Sequence, residues 1–403
     1  MTHVQTTTLE HAAPAGTRSA ATALALVSSY FVLFGILMSA QSVLWPEVLA
    51  SLKVGEGVFG TAQLVSPGVA IVGLLLGGFL TETRGIRLLI FVSLILLAIS
   101  SVAFGVQRNL AMFTLALMIG GAGNGLMETA MNAATMDWER ATGKLRMNLM
   151  HAAFSAGAVG GSVLVGFALS HGWNFRVIFA CLAIPCAISF ALTSLIKLPP
   201  AQVHEHDPHP LSTVRLILQR SDLRRLAIIA VLGIVGESVA FVWAMIYLQR
   251  LGAPPMISGV AFATFNAAML AGRLANAVIV AKRGFRFSVA LSGIMLMLAT
   301  ALLLATRSVP LATAGFILVG LGVAGIVPTV LARGSELAPT MSARVSGGIM
   351  ASAYVGFIAC PPAIGWLAQA TSLQWALASV GVSGAIMLAI VLLVSEKAPS
   401  QSR

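Results

Sequence analysis

Two carboxyl groups lie inside long apolar runs of this chain: Glu128, in Asn-Gly-Leu-Met-Glu-Thr-Ala-Met-Asn (124–132), and Glu237, in Gly-Ile-Val-Gly-Glu-Ser (233–238). An ionisable side chain near the middle of a bilayer costs at least about 2.5–3.5 kcal/mol on insertion scales, so a functional role is its default reading. Neither acid has an adjacent Lys or Arg on its own run, and a carboxyl so placed can carry a proton. At about 100° per residue, Gly121, Asn124, Gly125, Glu128 and Asn132 fall on one helical stripe. Asn148, His151, Ser155 and Ser162 share another, and His151 is near enough in depth to Glu128 for the two to be expected as a titrating pair. Gln41, Gln63, Asn124, Asn132, Asn148, Asn266 and Tyr354 are candidates to bond a polar solute, with interhelical hydrogen bonding as the plain alternative. Trp243 offers a stacking face or ordinary packing. Arg273 is a lone cation in an apolar run, suited to an anionic solute, a structural ion pair or a reach back to the membrane surface.

Metal, nucleotide and cofactor chemistry finds little support. Cys181, Cys186 and Cys360 all fall in apolar runs, where they read as small packing residues. His204, His206 and His209 lie in a polar stretch with nothing nearby to complete a ligand set, so no metal site is expected. Gly320-Leu321-Gly322-Val323-Ala324-Gly325 fits G-x-G-x-x-G, but no strand precedes it, and close helix packing explains it better. There is no Walker A sequence and no evident nucleophile–base pair. The expectation is a protein without cofactor or enzymatic activity.

The elements that must position these residues follow from composition. Of the 403 residues, 58% are hydrophobic and 9% charged, against about 25% charged in soluble domains; the mean hydropathy is +0.94. Apolar runs of about 20 residues recur throughout, each long enough to cross a hydrocarbon core about 30 Å thick as a helix. Twelve are expected: 23–45, 58–80, 87–106, 110–134, 147–169, 175–196, 226–248, 257–280, 287–305, 310–332, 346–368 and 375–394. They are numbered spans 1 to 12 below. The chain therefore reads as an all-α integral membrane protein. It divides into a disordered cytoplasmic tail (1–20), a six-helix half (21–197), a cytoplasmic linker (198–224) carrying a short interfacial helix over Leu211 to Arg220, a second half (225–395) and a tail (396–403).

The net charge of +11 does not call for nucleic acid. With the N-terminus inside, 18 of the 24 Lys and Arg fall in cytoplasmic segments, five fall outside and Arg273 lies within a span. That bias is the positive-inside rule, and it predicts a multi-pass protein of the cell's inner (cytoplasmic) membrane with both termini in the cytoplasm. The expected partners are the bilayer, a small-molecule substrate and protons, with the chain acting as a monomer.

Sliding the sequence by 199 residues aligns Arg84-Gly85-Ile86-Arg87 with Arg283-Gly284-Phe285-Arg286. At that offset Gly60 meets Gly259, Gly73 meets Gly272, Gly121 meets Gly320, Gly157 meets Gly356 and Gly166 meets Gly365. Six spans followed by six in the same orientation predicts two pseudo-symmetric halves related by an axis along the membrane normal.

This arrangement resembles the major facilitator superfamily. Its loop between helices 2 and 3 has the form Gly-x-Leu-x-Asp-Arg-x-Gly-Arg-Lys, occupied here by Gly78 to Arg87, with Glu82 and Thr83 replacing Asp and Arg. The resemblance implies gating roles at the cytoplasmic face for Glu82, Arg84 and Arg87, and for Arg283 and Arg286 in the repeated loop. Residues 123–157 resemble the fucose:proton symporter family, through Glu128-Thr129-Ala130-x-Asn132 and Arg146-x-Asn148-Leu149. A related bacterial branch shares Glu237, Trp243, Tyr247-Leu248 and Ala271-Gly-Arg-Leu274. Where the fucose-type proteins carry a proton-coupling Asp in helix 1, this chain has Ser42, which cannot titrate. Either Glu128 couples with Glu237 and His151 instead, or coupling differs from that of these relatives.

The resemblance implies a secondary transporter of a small polar solute, sugar-like as the first expectation, working by alternating access with proton coupling. Alternatives are a proton-driven exporter of metabolites or drugs, and a non-transporting membrane sensor on the same fold.

Overall fold

The computed structural model describes residues 17–144, 146–196 and 210–393. The tails, the start of the linker and its three histidines fall outside these residues, as do the side chains of Glu82 and Asn148.

Eleven continuous helices among the described residues are long and apolar enough to cross a bilayer. Ten are single crossings of 21 to 33 residues: Ala20–Leu52, Glu56–Thr81, Ile86–Val106, Leu110–Thr142, Leu149–Ser170 and Phe175–Leu195 (spans 1 to 6), then Ser221–Arg250 (span 7), Val309–Leu337, Arg344–Ala370 and Leu373–Leu393 (spans 10 to 12). The exception, Pro255–Ala305, has 51 residues, or about 77 Å at 1.5 Å per residue, more than twice the hydrocarbon thickness. Gly284 breaks it with φ 82° and ψ 174°, a conformation that a Cβ disfavours. Spans 8 and 9 are therefore 255–283 and 285–305, which makes twelve crossings. Gly85, the counterpart of Gly284, has φ 83° between spans 2 and 3.

Helix ends carry their local signals. Asn109 accepts the Met112 amide at 2.9 Å at the start of span 4, and Gly143 closes that helix with φ 69°. Span 4 runs to Thr142, eight residues beyond the apolar run, because its last turns hold Asp137 and Glu139 rather than a breaker. The linker helix is Pro210–Gln219, close to the expected segment. Span 7 contains one π-helical turn, Ala240–Ala244.

The two halves repeat each other in their contacts as well as their sequence. In span 4, a methyl on Gly121 would strike the Ser66 carbonyl; at its counterpart Gly320 it would meet the Phe265 carbonyl at 2.7 Å. Gly73 faces the Ala122 carbonyl at 3.1 Å, and Gly272 faces that of Leu321 at 3.1 Å. Each acceptor pair is also separated by 199 residues. Such approaches, open only to glycine, let helix backbones pack without side chains between them.

The same reciprocity operates between the halves, at the face opposite the chain termini (the distal face). Gly60 of span 2 packs on the Pro361 carbonyl of span 11, and Gly259 of span 8 packs on the Ser162 carbonyl of span 5. Gly365 packs on the Glu56 carbonyl, and Gly166 packs on that of Pro255. Trp243, fully buried, fills the crossing of spans 2 and 11 beside Gly60 and Gly365, with its ring edge-on to Phe59. Around this seam Arg250 pairs with Glu56, the Trp366 indole donates to Thr61 Oγ1 at 3.0 Å, and the Gly57 amide donates to Gln369 Oε1 at 3.1 Å. The distal face is closed. Towards the terminal face the halves diverge: Gly347, two turns from Tyr354 on the same side of span 11, has nothing within 4 Å of its would-be Cβ.

Candidate functional site

Where the halves begin to part, Tyr354 of span 11 donates its hydroxyl to Glu128 Oε2 of span 4 at 2.6 Å. It is a short, charge-assisted type of bond between residues 226 apart in sequence. Glu237 of span 7 lies within electrostatic reach of both Glu128 and Tyr354. Arg273 of span 8 lies within reach of Glu237 and of His151 on span 5. Five spans, two from one half and three from the other, thus converge on one charged cluster. Glu128, Glu237, Arg273 and Tyr354 are partly buried and His151 is exposed, so the cluster borders open space rather than packed core.

The expected pair of Glu128 with His151 is not formed. His151 makes no hydrogen bond to the acid; its ring stands edge-on to Phe31 with centroids 5.7 Å apart. Span 5 packs on span 1 through Gly157 and Gly161, which turns its stripe away from span 4. Ser155 and Ser162 are buried accordingly. The span 4 stripe is split in a similar way. Gly121 and Gly125 pack on the backbone of span 2, while Asn124, Glu128 and Asn132 stay partly exposed. Asn132 donates to the Glu128 carbonyl at 2.8 Å, and Asn124 Oδ1 has no partner.

Other sequence candidates divide between reachable and packed positions. Gln41 is partly exposed, and Gln63 is buried with its Nε2 unpartnered. Asn266 is buried and bonds back to the Phe262 carbonyl of its own helix at 2.9 Å. Trp243 belongs to the distal seam.

The loop arginines act within their own halves. Arg87 Nη2 donates to the Thr193 and Ser194 carbonyls at 2.7 and 2.8 Å, at the end of span 6. Its counterpart Arg286 donates to the Val391 carbonyl at 2.6 Å, at the end of span 12. Each guanidinium thus satisfies orphan carbonyls at the negative end of a helix dipole and ties the third helix of its half to the sixth. Arg84 is exposed, and Arg283 stacks on Phe287 at 5.6 Å. The residues that do bridge the halves at the closed end, Glu56, Thr61, Arg250, Trp366 and Gln369, carry no motif that sequence reasoning could have found. No cluster of His, Cys, Asp and Glu suited to a metal occurs among the described residues.

The sequence profile of the Major Facilitator Superfamily matches residues 26–350. Full-length relatives include the uncharacterized transporter y4wD of Sinorhizobium fredii, 25% identical over 369 residues, covering 90% of this chain and 95% of that protein. An MFS-type transporter of Yersinia pestis is 27% identical over 357 residues, covering 87% and 90%. The membrane protein MosC of Rhizobium meliloti is 23% identical over 362 residues, covering 90% and 87%. Among solved structures, a mutant of the nucleoside transporter NupG superposes with a TM-score of 0.82 at 13% identity, covering 92% of this chain and 99% of that one. A bacterial homologue of the human lysosomal transporter Spinster, in its inward-facing state, gives 0.77 at 14% identity, covering 94% and 97%. A twelve-span helical fold, a profile spanning most of the sequence and relatives aligned over nearly their whole length agree: the chain is a multi-pass membrane transporter of the major facilitator superfamily.

Proposed function

We propose that this transporter moves a small polar, sugar-like solute across the bacterial inner membrane by alternating access, coupled to protons through Glu128 and Glu237. The bias of Lys and Arg supports both termini lying in the cytoplasm; in that orientation the distal face is external and the open side faces the cell interior. The observation that carries the reading is the Tyr354–Glu128 hydrogen bond across the two halves, with a second carboxyl, Glu237, beside it. A protonatable group at the point where the halves separate is exposed to one side and then the other as they rock. Its proton occupancy thereby becomes linked to the conformational equilibrium. The resemblance of residues 123–157 to the fucose-type symporters supports a hydroxyl-rich solute.

The test is uptake into proteoliposomes under an imposed pH gradient. Glu128→Gln and Glu237→Gln are each expected to abolish gradient-driven accumulation while leaving solute exchange across the membrane measurable. Undiminished gradient-driven flux in both variants would sink the coupling assignment.

A further inference from the structure

Arg273 is the one cation of the central cluster whose role the coupling reading leaves open. Its position in span 8 is occupied by Leu74 in the other half, so the pseudo-symmetric scaffold does not require it. Glycine on one side packs the helix: Gly272 meets Leu321 and Ala324 of span 10. Arg273 itself is partly exposed, and among the described residues it makes no hydrogen bond or ion pair. The arginines that tie helices together or cap them have visible acceptors, Arg87 and Arg286 on helix ends and Arg250 on Glu56, whereas the arginines without one, such as Arg84, Arg108 and Arg307, are exposed at the ends of spans. A guanidinium with five donors, in the membrane interior and beside open space, is built for a planar anion.

Resting on the function proposed above, we propose that Arg273 holds a carboxylate of the solute, so that the substrate is a hydroxylated monocarboxylate of the sugar-acid kind, and that Glu237 is the internal anion it replaces. The charged and titratable groups within electrostatic reach of Arg273 are Glu237 from span 7 and His151 from span 5; Glu128 from span 4 and Tyr354 from span 11 adjoin Glu237. The charges balance simply. With solute absent, ionised Glu237 offsets the charge of Arg273 through space, within electrostatic reach but without a direct ion pair. When a proton neutralises Glu237, the solute carboxylate takes its place, and the net charge of the cluster is unchanged. Return of the empty carrier follows release of both. Glu128 passes on the same proton rather than carrying a second, so each cycle carries one carboxylate and one proton and is electroneutral.

Binding is tested by thermal shift on the purified full chain, with gluconate and glucuronate as probes and sorbitol and glucose as neutral counterparts. A ligand bound only by the native state must raise its melting temperature. The carboxylates are expected to stabilise the wild type, with affinity about 10- to 100-fold weaker in Arg273→Gln, the worth of a charge-assisted hydrogen bond. Glu237→Gln retains the guanidinium and removes its competitor, so it is expected to bind the carboxylates more tightly and with a flatter pH dependence. That outcome does not depend on Arg273→Gln folding, and a purely structural arginine would not produce it. No stabilisation of the wild type by either carboxylate, equal stabilisation by the neutral counterparts, or unchanged carboxylate affinity in Glu237→Gln overturns the proposal.

Proteoliposomes separate this inference from the reading beneath it. Gluconate entry that acidifies the lumen without an electrical current is the expected result. Lumen acidification driven by glucose with a current leaves proton coupling standing and removes the role of Arg273. Arg273-dependent gluconate entry without acidification removes proton coupling and leaves the anion site.

Discussion

The distal seam predicts that one methyl group shifts the conformational equilibrium. In Gly259→Ala the new Cβ would sit 2.6 Å from the Ser162 carbonyl and 3.1 Å from the Cα of Gly166. Both are backbone atoms, so no side chain can swing aside. The helices must separate by at least about 0.4 Å, and overpacking of this kind costs about 1–3 kcal/mol. The cost falls only on the state in which spans 5 and 8 touch; once the distal face opens, the methyl meets solvent. A differential penalty of about 1–2 kcal/mol changes the ratio of the two states about 5- to 30-fold. Spin labels at Arg108 and Arg307, exposed positions in corresponding distal loops, report the separation by double electron–electron resonance. Gly259→Ala is expected to enrich the longer distance, Gly60→Ala to do the same through Pro361, and the pair to exceed either. A folded Gly259→Ala protein with an unaltered distance distribution would refute the claim that backbone contact closes this face.

Three further predictions concern the supports of the site. Arg87→Ala and Arg286→Ala each strip charged donors from the last carbonyls of a helix, at about 1.5–3 kcal/mol; melting temperature should fall in both while the label distances across the halves stay unchanged, as a latch between halves would not allow. Glu56→Gln removes a partly exposed ion pair worth up to about 1 kcal/mol, so it should raise distal opening modestly at low salt and have little effect at high salt. Tyr354→Phe deletes the hydroxyl bonded to Glu128 and is expected to slow proton-driven flux by at least tenfold, about 1.4 kcal/mol, with expression and melting temperature near wild type; unchanged flux would remove Tyr354 from the coupling path.

Much of the architecture was legible because it rests on features a sequence carries openly. Apolar length marks the spans, and the 199-residue offset of the glycines marks the halves; even the broken helix at Gly284 was announced by its likeness to Gly85. The site was legible only in part. Glu128 and Glu237 announce themselves as charges in oil, but what they face depends on how distant helices rotate. Tyr354 lies 226 residues from its partner. His151 was matched to Glu128 by depth, and span 5 rotates it towards Phe31. Arg87 was assigned to a gate through a motif, yet its acceptors are main-chain carbonyls, which no residue type reveals. The distal seam escaped notice for the same reason: its glycines pack on backbone.

The reciprocity of that seam has an evolutionary consequence. Each half presents to the other the same pair of surfaces, span 2 against span 11 and span 8 against span 5, as the two subunits of an isologous dimer do. A six-helix ancestor pairing with its own copy would already have possessed this closure. The charged cluster has no such ancestry in symmetry: opposite Glu128, Glu237 and Arg273 the repeat places Val327, Met38 and Leu74. If two copies of such an ancestor fused into one chain, these positions became free to diverge, while the seam glycines stayed bound to one another's shape. Substitutions that change what is carried should therefore accumulate in one half at a time, whereas those that change how the carrier closes should come in pairs 199 residues apart.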